Sequence, residues 1–353
     1  MIGAIPALLP DELLWSFFSR YKQMYGYQKD SDVFFDFQGK TSPFIHAKVD
    51  EYFNNIVARM PKGWISSGKH LVEAHTIAPY FFGCMTEHQR AHLIGSLRLY
   101  MTGYKQGQYR DSGMMYCSRC ALEDEDNYGC VYWHREHQLP SVFVCRMHHV
   151  FLEKVDFKSS AVNLMDPVNT DVIKFEKDIE QANVSHQLLL RIAIDSARLL
   201  TLDAGDLELD SIKTSLDKQA MNLGCGGYGE YEGKASHFKI SRLIKRSCSV
   251  EMLELFGYKG LEVPKASFIA TTVRTAYKSP LSLLLTAYAL GFSLDDLLAM
   301  KEGVPKQLEM LPCALDEGVK LPIEDILYLS VDKPIELPIR LIEKFFSKKY
   351  SSV

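Results

Sequence analysis

The chain has 353 residues, and at roughly 100–200 residues per domain this length predicts two or three packed units rather than one small stapled module. With 47% hydrophobic and 24% charged residues it can bury ordinary cores, which excludes long disorder. A formal net charge of −4 offers nucleic acid no global attraction, so any such contact must come from a local basic surface.

The opening run has no basic segment ahead of its apolar residues, and Pro10, Asp11 and Glu12 break it at once, so it does not read as a signal peptide and a cytoplasmic protein is expected. Residues 11–21 place Leu13, Leu14, Phe17, Phe18 and Tyr21 at helical spacing, with Asp11 and Glu12 suited to the positive end of the helix. Further helical pieces follow at 33–37 and 87–100, which makes residues 1–110 a helical N-terminal domain.

Residues 111–158 change character, because cysteines, histidines and aromatics crowd together and Val142, Phe143 and Val144 form a short β-type run before Cys145. The order Cys117-x2-Cys120-x24-Cys145-x2-His148 supplies two short pairs that can turn toward one ion, as tetrahedral zinc with sulfur and nitrogen ligands requires. Eight cysteines in a chain expected to stay in a reducing compartment favour metal over disulfides. One structural zinc is therefore expected, with all four positions filled by protein and none left for a catalytic water. His149 is an alternative to His148, and Cys130, His134 and His137 are weaker candidates. A hydrolytic zinc site built on His134, Glu136 and His137 fits poorly, since HREH lacks the spacing that sets two histidines on one helix face. Trp133, Tyr132 and Tyr128 are expected to pack around the metal module rather than stack on bases.

Residues 159–234 read as a helical region, with a helix at 185–200, followed by an acidic stretch at 203–210 and a glycine-rich connector. Residues 235–353 read as a basic, helical C-terminal domain in which 250–256 and 265–277 suggest a helix-turn-helix unit. Lys239, Arg242, Lys245, Arg246, Arg274 and Lys278 are its candidate phosphate contacts. The apolar run at 280–290 is about half the length of a membrane span, so it reads as a core helix and no membrane association is expected. The fold class is thus mainly α, with helical, helix-turn-helix-like domains and an inserted zinc knuckle containing short strands.

The run YCSRC, the later YWH and QLP elements and the CRMH pair resemble, in that order, the zinc region of the TniQ/TnsD family of transposon target-selection proteins. LLPDELLWSFFSRY at the start is similar to that family's N-terminal helix, and the run at 274–298 resembles a later helical segment more loosely. The resemblance implies a non-catalytic adaptor that binds target double-stranded DNA, or a CRISPR effector complex with its guide RNA, and recruits the AAA+ ATPase TnsC. The chain has no G-x4-G-K-[ST] loop, in keeping with an adaptor that leaves nucleotide hydrolysis to its partner.

Overall fold

The computed structural model describes residues 4–39, 41, 49–86, 113–156, 177–226 and 280–300, with scattered positions between 236 and 256. The chain divides into two units, Met1–Leu311 and Pro312–Val353, and every described residue belongs to the first. Among the described residues the architecture is mainly helical with one small two-stranded sheet. The expected helix at 87–100 and the helix-turn-helix pieces at 250–256 and 265–277 lie outside the described residues, apart from isolated positions.

Helix α1 spans Leu14–Tyr25 and ends where Gly26 turns left-handed at φ 65°, a conformation that costs glycine little. It starts three residues later than the sequence predicts. Asp11 is itself left-handed at φ 54°, and no acidic residue occupies the first turn of α1. The two carboxylates have been drawn out of the helix by arginine partners described below. Leu14, Phe17, Phe18 and Tyr21 are buried against α2 (Asp30–Gln38), which contains the predicted 33–37 segment. Phe37 lies 5.2 Å from the Phe18 ring and 5.0 Å from that of Tyr21, distances typical of favourable aromatic pairs.

Helices α3 (Val49–Val57) and α4 (Gly68–His75) pack closely on each other. Gly68 permits that approach, because a Cβ there would meet Asn54 Oδ1 at 2.7 Å and the Asn54 backbone nitrogen at 2.9 Å. Ser67 caps α4 by accepting from the His70 N–H at 3.1 Å. The short helix α5 (Pro79–Phe82) is buried throughout.

Strand β1 (Gly113–Tyr116) pairs antiparallel with β2 (Glu153–Asp156), Tyr116 opposite Glu153. Between them come helix α6 (Ser118–Tyr128), a 3-10 turn at Glu136–Gln138 and a return segment. Val144 makes only an isolated bridge to Phe151, so the predicted β-type run is a return loop and not a strand of the sheet. Gln138 acts as a third edge, since its Oε1 accepts from Met115 N–H at 3.0 Å while its Nε2 donates to Met115 carbonyl at 2.7 Å.

Helix α7 (Val184–Leu199) matches the predicted 185–200 helix and is capped by Asn183. It packs against α5, where a hydroxyl chain runs from Tyr80 through Ser141 to Ser196 over 3.0 and 2.9 Å. Helix α8 (Leu209–Asn222) falls in the stretch 159–234 expected to be helical, though its start at Leu209 and Asp210 lies in the predicted acidic connector. Its apolar stripe of Ile212, Leu216 and Ala220 is narrow and surrounded by polar residues. Helix α9 (Pro280–Ala289) is the expected core helix, with Tyr288 donating to buried Asp195 of α7 at 2.6 Å. Helix α10 (Leu294–Ala299) starts in a Ser293/Asp296 capping box. Among the described residues no helix is long and apolar enough to cross a membrane.

Candidate metal centre

The two ligand pairs approach from different local structures. Cys117 sits between β1 and α6, Cys120 on the first turn of α6, and Cys145 and His148 on the return loop before β2. Pairing of β1 with β2 brings the ends of this 24-residue excursion together. The Sγ atoms of Cys117, Cys120 and Cys145 and one ring nitrogen of His148 all lie within 4.8 Å of one another.

Cys120 Sγ is 3.7 Å from Cys145 Sγ, and His148 Nδ1 lies 3.5, 3.3 and 3.7 Å from the sulfurs of Cys117, Cys120 and Cys145. With metal–sulfur and metal–nitrogen bonds of about 2.3 and 2.0–2.1 Å, a tetrahedron has edges of about 3.8 and 3.6 Å. The donor spacing therefore fits one tetrahedral ion. The second nitrogen of His148 donates to Glu123 Oε1 at 2.9 Å, which fixes the ring with Nδ1 turned to the sulfurs. Hydrogen bonds from Cys117 and Cys120 hold Cys145 well below the usual thiol range, while hydrogen bonding to Cys117 and Cys145 pushes Cys120 far above it. A cation at the centre relieves that competition by favouring all three thiolates.

His149 stays out of the cluster. It is exposed and left-handed at φ 55°, with its backbone N–H donating to the Cys145 carbonyl at 2.9 Å. Cys130 lies instead beside Arg20, 3.7 Å from Nη1. Each residue of the HREH stretch has a neighbour of its own. His134 donates to Asp124 at 2.9 Å, Glu136 accepts two bonds from Arg146 at 2.5 and 2.7 Å, and His137 is buried 4.0 Å from Cys120 Sγ. Trp133 and Tyr132 are buried, as expected of packing residues, whereas Tyr128 is exposed.

The N-terminal segment is locked onto this module by residues the sequence reading assigned to a helix dipole. Glu12 is fully buried and accepts from Arg20 Nε at 2.7 Å, Arg20 Nη2 at 2.8 Å and the Leu9 N–H at 3.1 Å. Asp11 accepts from Arg135 Nε at 2.9 Å and from the Glu136 N–H at 3.1 Å. Leu13 N–H donates to the Trp133 carbonyl at 2.9 Å, and the Trp133 N–H returns to Ser16 Oγ at 2.9 Å. His75 of α4 closes the ring by donating Nδ1–H to the Glu12 carbonyl at 2.8 Å. Burial is the largest influence on His75 and lowers its pKa to about 4. The pattern Pro-Asp-Glu, Ser and Arg near the start is the signal that marks these residues, and only the fold reveals their partners.

Of the six basic residues expected to meet phosphate, Lys239 and Arg242 are helical and half-buried, and Lys239 Nζ donates to the Gly224 carbonyl at 2.9 Å. Lys245, Arg246, Arg274 and Lys278 lie outside the described residues.

Residues 4–152 match the model of the TniQ family. The matched stretch begins before the Asp11–Glu12 interlock and ends four residues after His148, so the interlock and all four clustered residues fall inside it while strand β2 follows it. No curated protein matches the chain.

Proposed function

From the match of residues 4–152 to the TniQ family model we propose that the protein is a target-selection adaptor for DNA transposition. It binds target double-stranded DNA and recruits the AAA+ ATPase TnsC, which engages the transposase. The observation that carries this reading is the coincidence of the TniQ match with a closed Cys3His cluster to which the N-terminal helices are locked. The ion it holds is a single structural zinc, since three thiolates and an imidazole at tetrahedral spacing suit that metal. Zinc there joins two segments of chain that could not stabilise each other by burial alone. With four protein donors the centre leaves no open position for activating water, so the adaptor supplies contacts and no chemistry.

A second reading has the protein bridge a CRISPR effector complex and its guide RNA to TnsC without reading DNA sequence. The chain's net charge of −4 and the engagement of Lys239 with a backbone carbonyl favour it over extensive duplex contact. Retention of duplex DNA by the purified protein, with and without TnsC and ATP over a salt series, separates the two. Retention of one sequence by the protein alone supports site recognition. Absence of DNA retention at every salt concentration, with or without TnsC, overturns direct recognition.

A further inference from the structure

Charge is distributed unevenly over the described surface. Helix α6 exposes Glu123, Glu125 and Asp126 beside the metal module, a face that repels phosphate. The stretch from 52 to 72 is the opposite, since it holds Arg59, Lys62, Lys69 and His70 and no carboxylate. All four of these side chains are exposed, and so is Trp64 between them, at 40%.

The loop joining α3 to α4 and the first turn of α4 hold these groups in a fixed arrangement. Ile65 is buried beneath it, Gly63 adopts φ 91°, and the Trp64 N–H donates to the Pro61 carbonyl at 3.3 Å. Arg59 Nη1 is anchored on the Asp36 carbonyl at 2.9 Å, and the Gly68 N–H on Asn54 Oδ1 at 2.9 Å. Lys62 has no ion-pair partner among the described residues. Lys69 has only Glu73 at 3.5 Å, a pair with both side chains in solvent and therefore worth little. Trp64 stacks on no other ring among the described residues, so its indole face is open to solvent.

We infer that the α3–α4 loop and the first turn of α4, through Arg59, Lys62, Trp64, Lys69 and His70, form a docking surface for the phosphate backbone of duplex DNA. Lysine and arginine neutralise phosphates and release their counterions, and the indole N–H is a further donor to a phosphate oxygen. A fixed loop loses little freedom on binding, so its contacts set orientation without reading bases. The inference rests on the DNA-binding half of the proposed function and places part of it in the N-terminal region, where the basic residues 239–278 are not required.

The test uses the full chain, loaded with zinc, and a duplex of mixed sequence in a salt series. The double variant Lys62→Ala, Lys69→Ala is compared with Lys177→Ala, Lys218→Ala, which removes equal charge from other exposed positions. Loss of two phosphate contacts lowers the slope of log K against log salt by about 2 and weakens binding about tenfold or more at 0.1 M salt. Trp64→Ala weakens binding with the slope unchanged. All these side chains are exposed, so melting temperature and zinc content serve as controls for folding. If the loop variant binds as the control variant does, the inference falls and the proposed function stands. If the loop substitutions weaken retention of single-stranded RNA and leave the duplex unaffected, the inference also falls. If wild type retains no duplex at low salt, with or without TnsC, both the inference and direct DNA recognition fall.

Discussion

At the scale of single residues, the controlling contacts are the buried carboxylates on the N-terminal segment. Glu12 is fully buried and Arg20 is 10% exposed, so removing one partner leaves the other charge without compensation. Glu12→Ala is expected to cost about 3–5 kcal/mol, read as a lower denaturation midpoint in urea. His75 makes a prediction about pH. Burial, partly opposed by its bond to the Glu12 carbonyl, depresses its pKa to about 4, so its contribution is fully present above the ordinary histidine value near 6.5 and is lost as pH falls toward 4. Relative to His75→Asn, which keeps a donor but does not titrate, wild type should lose up to about 3 kcal/mol across that window. Parallel stability curves for the two proteins between pH 6.5 and 4 would show that His75 titrates alike in the folded and unfolded chains and would overturn the prediction.

At the scale of elements, two junctions deserve separate tests because different forces hold them. Between α3 and α4 the limit is steric. A methyl group at Gly68 meets Asn54 at 2.7 and 2.9 Å, and Gly68→Ala should cost about 1–3 kcal/mol as the helices move apart, measured by thermal or urea unfolding. In the metal module the limit is orientation. Glu123 holds the His148 ring through Nε2 at 2.9 Å, so Glu123→Gln should weaken metal affinity about 10–100-fold while the secondary structure is retained. Competition with a chelator of known affinity checks it, and an affinity equal to wild type would remove Glu123 from the site. Within the same module, Gln138 completes the β1 edge through its side chain, a role that period-based reading assigns to a strand.

At the scale of the whole molecule, the metal module and the N-terminal helices stabilise each other. Leu13 pairs with Trp133, Asp11 with Arg135, and Arg135 Nη1 donates to the Glu73 carbonyl at 2.6 Å, so α1 and α4 are both tied to the segment between the ligand pairs. Stripping the metal is therefore expected to loosen residues 4–86 along with 113–156, because metal-binding free energy is folding free energy in such a site. Amide exchange with and without chelator measures this, and loss of protection confined to 113–156 would contradict it. Much of this was legible in the sequence. The spacing of Cys117, Cys120, Cys145 and His148 picked out the four residues that the fold gathers into one cluster, because two-residue gaps are a local property. The apolar periods at 33–37, 185–200 and 280–290 identified α2, α7 and α9 for the same reason. The start of α1 was misplaced, since a carboxylate ahead of an apolar run satisfies a helix dipole equally well on paper, and its arginine partner at Arg135 lies 124 positions away. Sequence favoured His148 over His149 because it completes the C-x2-H pair, and His148 is the one that lies in the cluster while His149 turns left-handed outside it. Sequence by itself determined which four residues cluster and the helical class, both written in short-range pattern. Tertiary structure alone decided which buried charges meet, because burial makes a charge depend on a partner that the chain supplies from far along its length.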